Sequence, residues 1–262
     1  MKKILLTVLV VAIVAVSAIG MVACKNNSSD YEYIKNKGTL VCGITLYEPM
    51  NYFNDDGDLV GFDTEFAEAV CAKLGIEAKF QVIKWASKET ELNSKYIDCI
   101  WNGFTVTEER KANIEFSKSY LNNTQCVVIK AANAAQYTSA ESCQGKRGAA
   151  EQGSAGETAA KDMTTTVTSV AAQMNALTEV KSGNVDFAVV DVVLANQIVG
   201  SGDFADLAVA SAIQLESEEY AIGFRKGSDM AAKVNEAIDA LIADGTMQTI
   251  AEKYGVAGQL VK

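Results

Sequence analysis

The stretch Trp101-Asn102-Gly103-Phe104-Thr105-Val106-Thr107-Glu108-Glu109-Arg110 decides how the rest of the chain is read. It follows a short apolar run, Ile97 to Trp101, that reads as a buried strand. A glycine breaks the run. Thr107 with Glu108 and Glu109 then has the form of a helix start, an N-cap hydroxyl followed by acidic first-turn residues. Arg110 breaks the pattern. It stands three residues after the cap, where a capping box wants Glu or Gln and the helix dipole disfavours a cation. A local rule broken at the carboxyl end of a strand marks the place where open α/β sheets hold ligands. The competing reading is a solvated surface turn.

Composition narrows the class. The chain has 262 residues, 49% of them apolar, enough for one large or two medium domains with a sizeable core. Its formal charge is -10, which argues against nucleic acid or an anionic membrane surface as partner. Histidine is absent, excluding mechanisms that need an imidazole base or ligand. Of six cysteines, the five beyond Cys24 (Cys42, Cys71, Cys99, Cys126 and Cys143) are widely spaced with no C-x-x-C pair, so neither zinc nor a redox motif is indicated. They fall in apolar patterns, where cysteine acts as a small hydrophobe.

The N-terminus reads as an export signal: Lys2 and Lys3, then an apolar run from Ile4 to Val22. By length that run also suits a transmembrane anchor. Met21-Val22-Ala23-Cys24 resembles a bacterial lipobox, although Met21 replaces the usual leucine. The expectation is a leader over 1–23, a lipidated Cys24, and a polar tether over 24–36.

From Gly38 onward strands and helices alternate. Thr39 to Ile44, Lys79 to Ile83, Gln125 to Lys130, Arg147 to Gln152 and Phe187 to Asp191 read as strands. Helices are expected from an Asp63 cap to Leu74, over Ser87–Asn93, Gly156–Met163, Val170–Lys181, Val192–Val199, Met230–Ala243 and Thr246–Tyr254. Such alternation implies parallel sheets. Glu91 to Asp98 and Glu179 to Asp186 echo each other, each leading into an apolar strand, and the alignment puts Gly103 opposite Asp191. Two lobes of like construction would produce that echo.

Asp191 ends the run Phe187 to Val190, so its carboxylate emerges either at a crevice edge or as the cap of the next helix. Ser154, with Glu157 three residues on, reads as a capping box whose free N–H groups also make an anion site. Tyr47 and Trp85 are aromatics near strand ends, suited to rim packing or to ligand contact.

Taken together, Gly43 through Tyr47 to Pro49, Gly61-Phe62-Asp63, Ile97-Asp98, Gly103-x-Thr105-x-Thr107-Glu108-x-Arg110, Phe116-Ser117, Gln152-Gly153-Ser154 and Asp186 to Asp191 resemble the amino-acid-binding proteins of ABC importers. The likeness runs through nearly all of the mature chain. It implies a two-lobed periplasmic-binding-protein-like α/β fold, each lobe a mainly parallel sheet flanked by helices. Lobe 1 would be 37–119 with 221–262, lobe 2 125–215, and the hinges 120–124 and 216–220.

The same resemblance implies site roles. Arg110, Thr105, Ala155 and Ser154 would hold the ligand's α-carboxylate, for which a planar fork of donors is suited. Asp191 and the Gly103 carbonyl would take the α-ammonium. Tyr47, Trp85, Asn102 and Phe104 would flank the side chain. The family usually has Ser or Thr where Ala155 stands, which puts one hydroxyl contact in doubt. With no evident acid for a ligand cation, the reading favours a neutral or polar amino acid. No catalytic residue, metal or cofactor is implied. The expected form is a monomer, lipid-anchored to the outer face of the cell membrane and serving ABC permease subunits. The alternatives are a dehydratase of the same fold, which would need a proton donor that is not histidine, and a sensory module, which should continue beyond Lys262.

Overall fold

The computed structural model describes residues 29–261. The expected leader and the lipidated Cys24 lie outside the described residues. Among these no helix is long and apolar enough to cross a membrane.

Helix α1 (Asp30–Lys37) corrects the tether expected to reach residue 36. Ser29 caps it, its hydroxyl accepting from Glu32 N–H at 2.9 Å, and Ile34 is fully buried. An Asp30–Arg225 ion pair at 2.9 Å and a bond from Tyr31 N–H to Asp229 dock it on the first lobe. A polar sequence folds here because its cap and charges find partners already in place.

Chain order then gives β1 (Thr39–Ile44), the short pair β2 (Tyr52–Phe53) and β3 (Leu59–Val60), α2 (Phe62–Leu74) and β4 (Glu77–Val82). A 3-10 turn, Trp85–Ser87, leads into α3 (Lys88–Asn93), β5 (Cys99–Ile100), α4 (Glu108–Asn113) and β6 (Ile114–Phe116). The chain crosses on β7 (Leu121–Lys130) and continues through β8 (Arg147–Glu151), α5 (Ala155–Met163), β9 (Thr166–Val170), α6 (Gln173–Ser182), β10 (Phe187–Asp191), α7 (Val192–Ile198) and β11 (Leu207–Val209). It returns on β12 (Ser217–Tyr220) to β13 (Gly223–Arg225), α8 (Met230–Ala243) and α9 (Thr246–Lys253).

Two sheets result, one per lobe, ordered β4-β1-β5-β13-β6 and β11-β7-β10-β8-β9. In each, four of the five strands run the same way. The β4-β1-β5 and β10-β8-β9 pairings are parallel, whereas β13 and β7 run antiparallel to their neighbours. The sheets are mainly parallel, as expected; the two reversed strands carried no signal of their own because hydrophobic periodicity reports burial, not strand direction. β7 is the long element joining the two. Its residues 121–124 pair with β12, and 125–129 pair with β10 in the second lobe.

The core of the first lobe lies between its sheet and α2, α8 and α9. Phe66, Val70, Val234, Ile238 and Leu241 repeat at helical spacing and are buried. All five described cysteines are buried and free.

Candidate functional site

The segment after β5 sets the first wall. Gly103 has a φ of +55°, and a Cβ there would sit 2.1 Å from the Tyr47 hydroxyl, so only glycine fits. Its N–H donates to Asp63 Oδ2 at 2.7 Å, and the Tyr120 hydroxyl donates to Asp63 Oδ1 at 2.8 Å. Asp63 is therefore not the cap of α2. The helix begins at Phe62 after Gly61, and the carboxylate turns inward to serve buried donors. Burial raises the Asp63 carboxyl to about 7, against the opposing pull of these hydrogen bonds.

The Thr107 hydroxyl accepts from Arg110 N–H at 3.1 Å, as the cap reading requires. The Arg110 side chain does not go to solvent. Its guanidinium lies 4.6 Å over the Phe104 ring, with Nη1 donating to Thr105 O at 2.7 Å. Nη2 donates across the cleft to Gly153 O at 3.3 Å, and Lys88 Nζ reaches the same carbonyl at 3.0 Å. Two cations of the first lobe thus clasp one carbonyl of the second.

The facing wall comes from strand ends. β8 ends in Glu151, after which Ser154 caps α5: its hydroxyl accepts from Glu157 N–H at 3.0 Å while Glu157 Oε2 accepts from Gly153 N–H at 2.9 Å. The Ser154 hydroxyl accepts that bond and keeps its own proton to donate. The first-turn N–H of Ala155 has no helical partner by construction. Gly156 lets α5 approach β10, since a Cβ would meet Val189 O at 2.8 Å.

Asp191 stands at the N-cap position of α7 but makes no cap bond. Its Oδ1 accepts from Asn123 at 2.9 Å and Gln125 at 2.5 Å, and its Oδ2 from Gln173. Glu218 on β12 shares this amide cluster, accepting from Asn123 at 2.5 Å, Gln125 at 2.7 Å and the Thr105 hydroxyl at 3.1 Å. Burial raises both carboxyls, and in Glu218 the Asp191 charge adds to it.

These walls enclose a cavity of about 10 Å³, near the space of one water. The first lobe contributes Trp85, Asn102, Gly103, Thr105 and Arg110; the second contributes Glu151, Ser154, Ala155, Gln173 and Asp191. A larger cleft of about 690 Å³ adjoins it and shares Arg110, Ser154 and Ala155. As it stands, the small cavity has no room for an amino acid. Among the described residues no cluster of three metal-ligating side chains forms.

Two of the expected side-chain contacts lie elsewhere. Phe104 is wholly buried in an apolar cluster with Ile97, Ile100 and Ile114, its ring edge-on to Trp85 at 5.6 Å. Tyr47 packs beneath Gly103. Asn102 reaches the wall, but its amide is spent on Thr45 and Asn51, at 2.7–2.8 Å. Sequence reasoning missed Glu151, Glu218, Gln173, Asn123 and Gln125. Glu151 had a readable signal. Like Asp191, it is a charge at the carboxyl end of an apolar run, Gly148 to Ala150.

Residues 40–257 match the model of the bacterial extracellular solute-binding proteins, family 3. The chain belongs to that family. The L-cystine-binding protein TcyJ of Escherichia coli (strain K12) is 29% identical over 225 residues, 84% of each chain. The arginine-binding extracellular protein ArtP of Bacillus subtilis (strain 168) is 29% identical over 251 residues, 94% of this chain and 96% of its own. Among solved structures, an ancestral amino acid-binding protein that is a precursor of cyclohexadienyl dehydratase superposes with a TM-score of 0.79 at 27% identity, covering 86% of this chain and 99% of its own. The two-lobed frame of this family member matches that solved structure.

Proposed function

We propose that this protein binds a free α-amino acid outside the cell membrane and hands it to the permease of an ABC importer. One observation carries the reading: a guanidinium from one lobe and a carboxylate from the other, Arg110 and Asp191, meet in the wall of one cavity. Together they complement the two charges common to all α-amino acids. Arg110, the Ala155 N–H and the Ser154 hydroxyl take the carboxylate, joined by the Thr105 hydroxyl once it turns from Glu218, while Asp191 and the Gly103 carbonyl take the ammonium. Trp85 lies against the side chain; Asn102, Phe104 and Tyr47 hold the wall from behind. Because each lobe carries half of the shell, ligand favours closure. Hinges at 120–124 and 216–220 suit this motion, with 37–119 and 221–262 moving against 125–215. An exported chain, lipid-anchored through Cys24 and acting as a monomer beside its permease, completes the proposal.

Calorimetry of Arg110→Ala and Asp191→Ala tests it. Each should lose roughly 2–5 kcal/mol against every amino acid the wild type binds, since a desolvated charge is left without its partner. Wild-type affinity in folded Arg110→Ala removes the assignment.

A second reading, dehydratase activity, has one observation in its favour. Burial pushes the Glu151 carboxyl up to about 8, with the Asp191 charge adding and Lys88 opposing, so the cavity does hold a proton donor that is not histidine. Turnover of prephenate by the purified protein decides between them.

A further inference from the structure

Charge balance in the cavity wall leaves one group over. Arg110 offers a cation and Asp191 an anion, which a zwitterion neutralises in turn. Asp191 is already well served by the amides of Asn123, Gln125 and Gln173. Glu218, beside it, accepts from three donors. Glu151 is different. It is 2% exposed, it lines the same cavity, and its Oε1 has no hydrogen-bond partner. The nearby cation makes no hydrogen bond to it: Lys88 Nζ turns to Gly153 O at 3.0 Å and Trp85 O at 3.4 Å.

A buried carboxyl without a partner costs stability in any fold. In a closed cavity it rejects ligands that bring it nothing and rewards one that brings a cation. From the unpartnered Glu151 Oε1 in the wall shared with Arg110 and Asp191, we infer that the ligand carries a second cationic group, which Glu151 receives when the lobes close. This rests on the amino-acid-binding reading and narrows it. Two kinds of amino acid have that chemistry: one with a guanidinium or ammonium side chain, and a dimeric one with a second α-ammonium. The absence of an acid in the sequence reading had pointed to a neutral ligand, and Glu151 is the acid it lacked. Trp85 lines the same cavity and offers apolar surface for the aliphatic stem of such a side chain.

The test uses pairs of near-equal shape that differ in the extra cation. Calorimetry on the wild type compares L-arginine with L-citrulline, and L-cystine with S-(2-carboxyethylthio)-L-cysteine, the same disulfide without its second ammonium. In one of the two pairs the cationic member should bind about 30-fold tighter or more, and which pair does so identifies the source of the cation. Glu151→Gln, with folding checked by circular dichroism, should erase most of that ratio while leaving the neutral member within a few-fold. The wild-type ratios stand even if the variant fails to fold. Equal affinity within both pairs overturns the inference and leaves amino-acid binding intact. A Glu151→Gln protein that weakens both members alike makes Glu151 a structural residue and overturns it too. A wild type that binds no amino acid in a full panel removes the functional reading itself.

Discussion

At the entry to β5, Asp98 donates its N–H to Val41 O at 2.8 Å and accepts from Val41 N–H at 2.8 Å. At the entry to β10, Asp186 donates to Arg147 O at 2.8 Å and accepts from Arg147 N–H at 2.8 Å. The turns before them also match. Tyr96 N–H reaches Glu91 O and Asn184 N–H reaches Glu179 O, both at 3.0 Å, through a left-handed residue, Lys95 in one lobe and Gly183 in the other. The two lobes share one scaffold for delivering a strand end to the cleft. Beyond the strand they diverge. The first lobe continues into a glycine corner and a cation, the second into carboxylates. A shared geometry of delivery with opposite chemistry at the tips is what a clamp for a zwitterion requires.

The largest expected effect breaks the glycine corner. Gly103→Ala places a Cβ 2.1 Å from the Tyr47 hydroxyl and 2.9 Å from the Tyr220 ring, at positive φ. Overpacking with backbone strain should cost about 2–4 kcal/mol of stability, and it should displace the Gly103 carbonyl from the site. Denaturant melts and calorimetry should therefore fall together. A variant as stable as wild type would mean that the corner is soft and that the two lobe tips differ less than their residues indicate.

The acids sharpen the contrast through pH. Asp63 is raised to about 7 and Glu151 to about 8, burial leading in both. Between the ordinary carboxylate range and those values the folded chain retains protons that the unfolded chain has released. Stability is thus fully present below about pH 4 and lost as pH rises through 7 and 8. Asp191 and Lys88 are the charges that act on Glu151, the first raising and the second lowering its pKa. The ligand-free melting temperature should fall by several degrees between pH 5 and 8.5, and Glu151→Gln should flatten the upper part of that fall. A profile level across this range would show both carboxyls to be better compensated than their surroundings indicate.

Much of this was legible in the sequence, for stated reasons. Strand β10 and helix α8 are bounded by abrupt changes of polarity, and their ends read directly. The Thr107 cap was legible in the first turn of α4, whereas the broken rule at Arg110 suited a solvated turn as well, and only the family resemblance turned that arginine inward. The echo between the lobes was visible because its left-handed turn occupies the same register in both. Other features had no local signal. β7 begins at Leu121, but Asn122, Asn123 and Thr124 are polar, because they pair with β12 between the lobes instead of entering a core. The role of Glu218 depends on Asn123 and Gln125, nearly a hundred residues away, and no periodicity reports such a meeting. Phe104 was misplaced because an aromatic beside a binding glycine looks the same whether it faces ligand or core.

The smallest effect tests the shared turn itself. Lys95, with a φ of +62°, is the one non-glycine residue at positive φ among the described residues. It occupies the position that Gly183 fills in the second lobe. The left-handed conformation costs a side-chain-bearing residue roughly 1–2 kcal/mol, and glycine's extra freedom in the unfolded chain returns about 0.5–1 kcal/mol of that advantage. Lys95 also sits 4.6 Å over the Tyr33 ring, an exposed contact worth about 0.5 kcal/mol. Lys95→Gly should therefore lie between about 0.5 kcal/mol destabilising and about 1 kcal/mol stabilising, the strain relieved less the two losses. At the partner turn a Cβ meets only Lys130 Nζ at an ordinary 3.7 Å, so Gly183→Ala suffers from backbone strain alone and should destabilise by about 1 kcal/mol. Urea midpoints at unchanged slope measure both. If Lys95→Gly is the more damaging of the two, the first-lobe turn is held by its lysine side chain, and the likeness between the lobes stops at the hydrogen bonds.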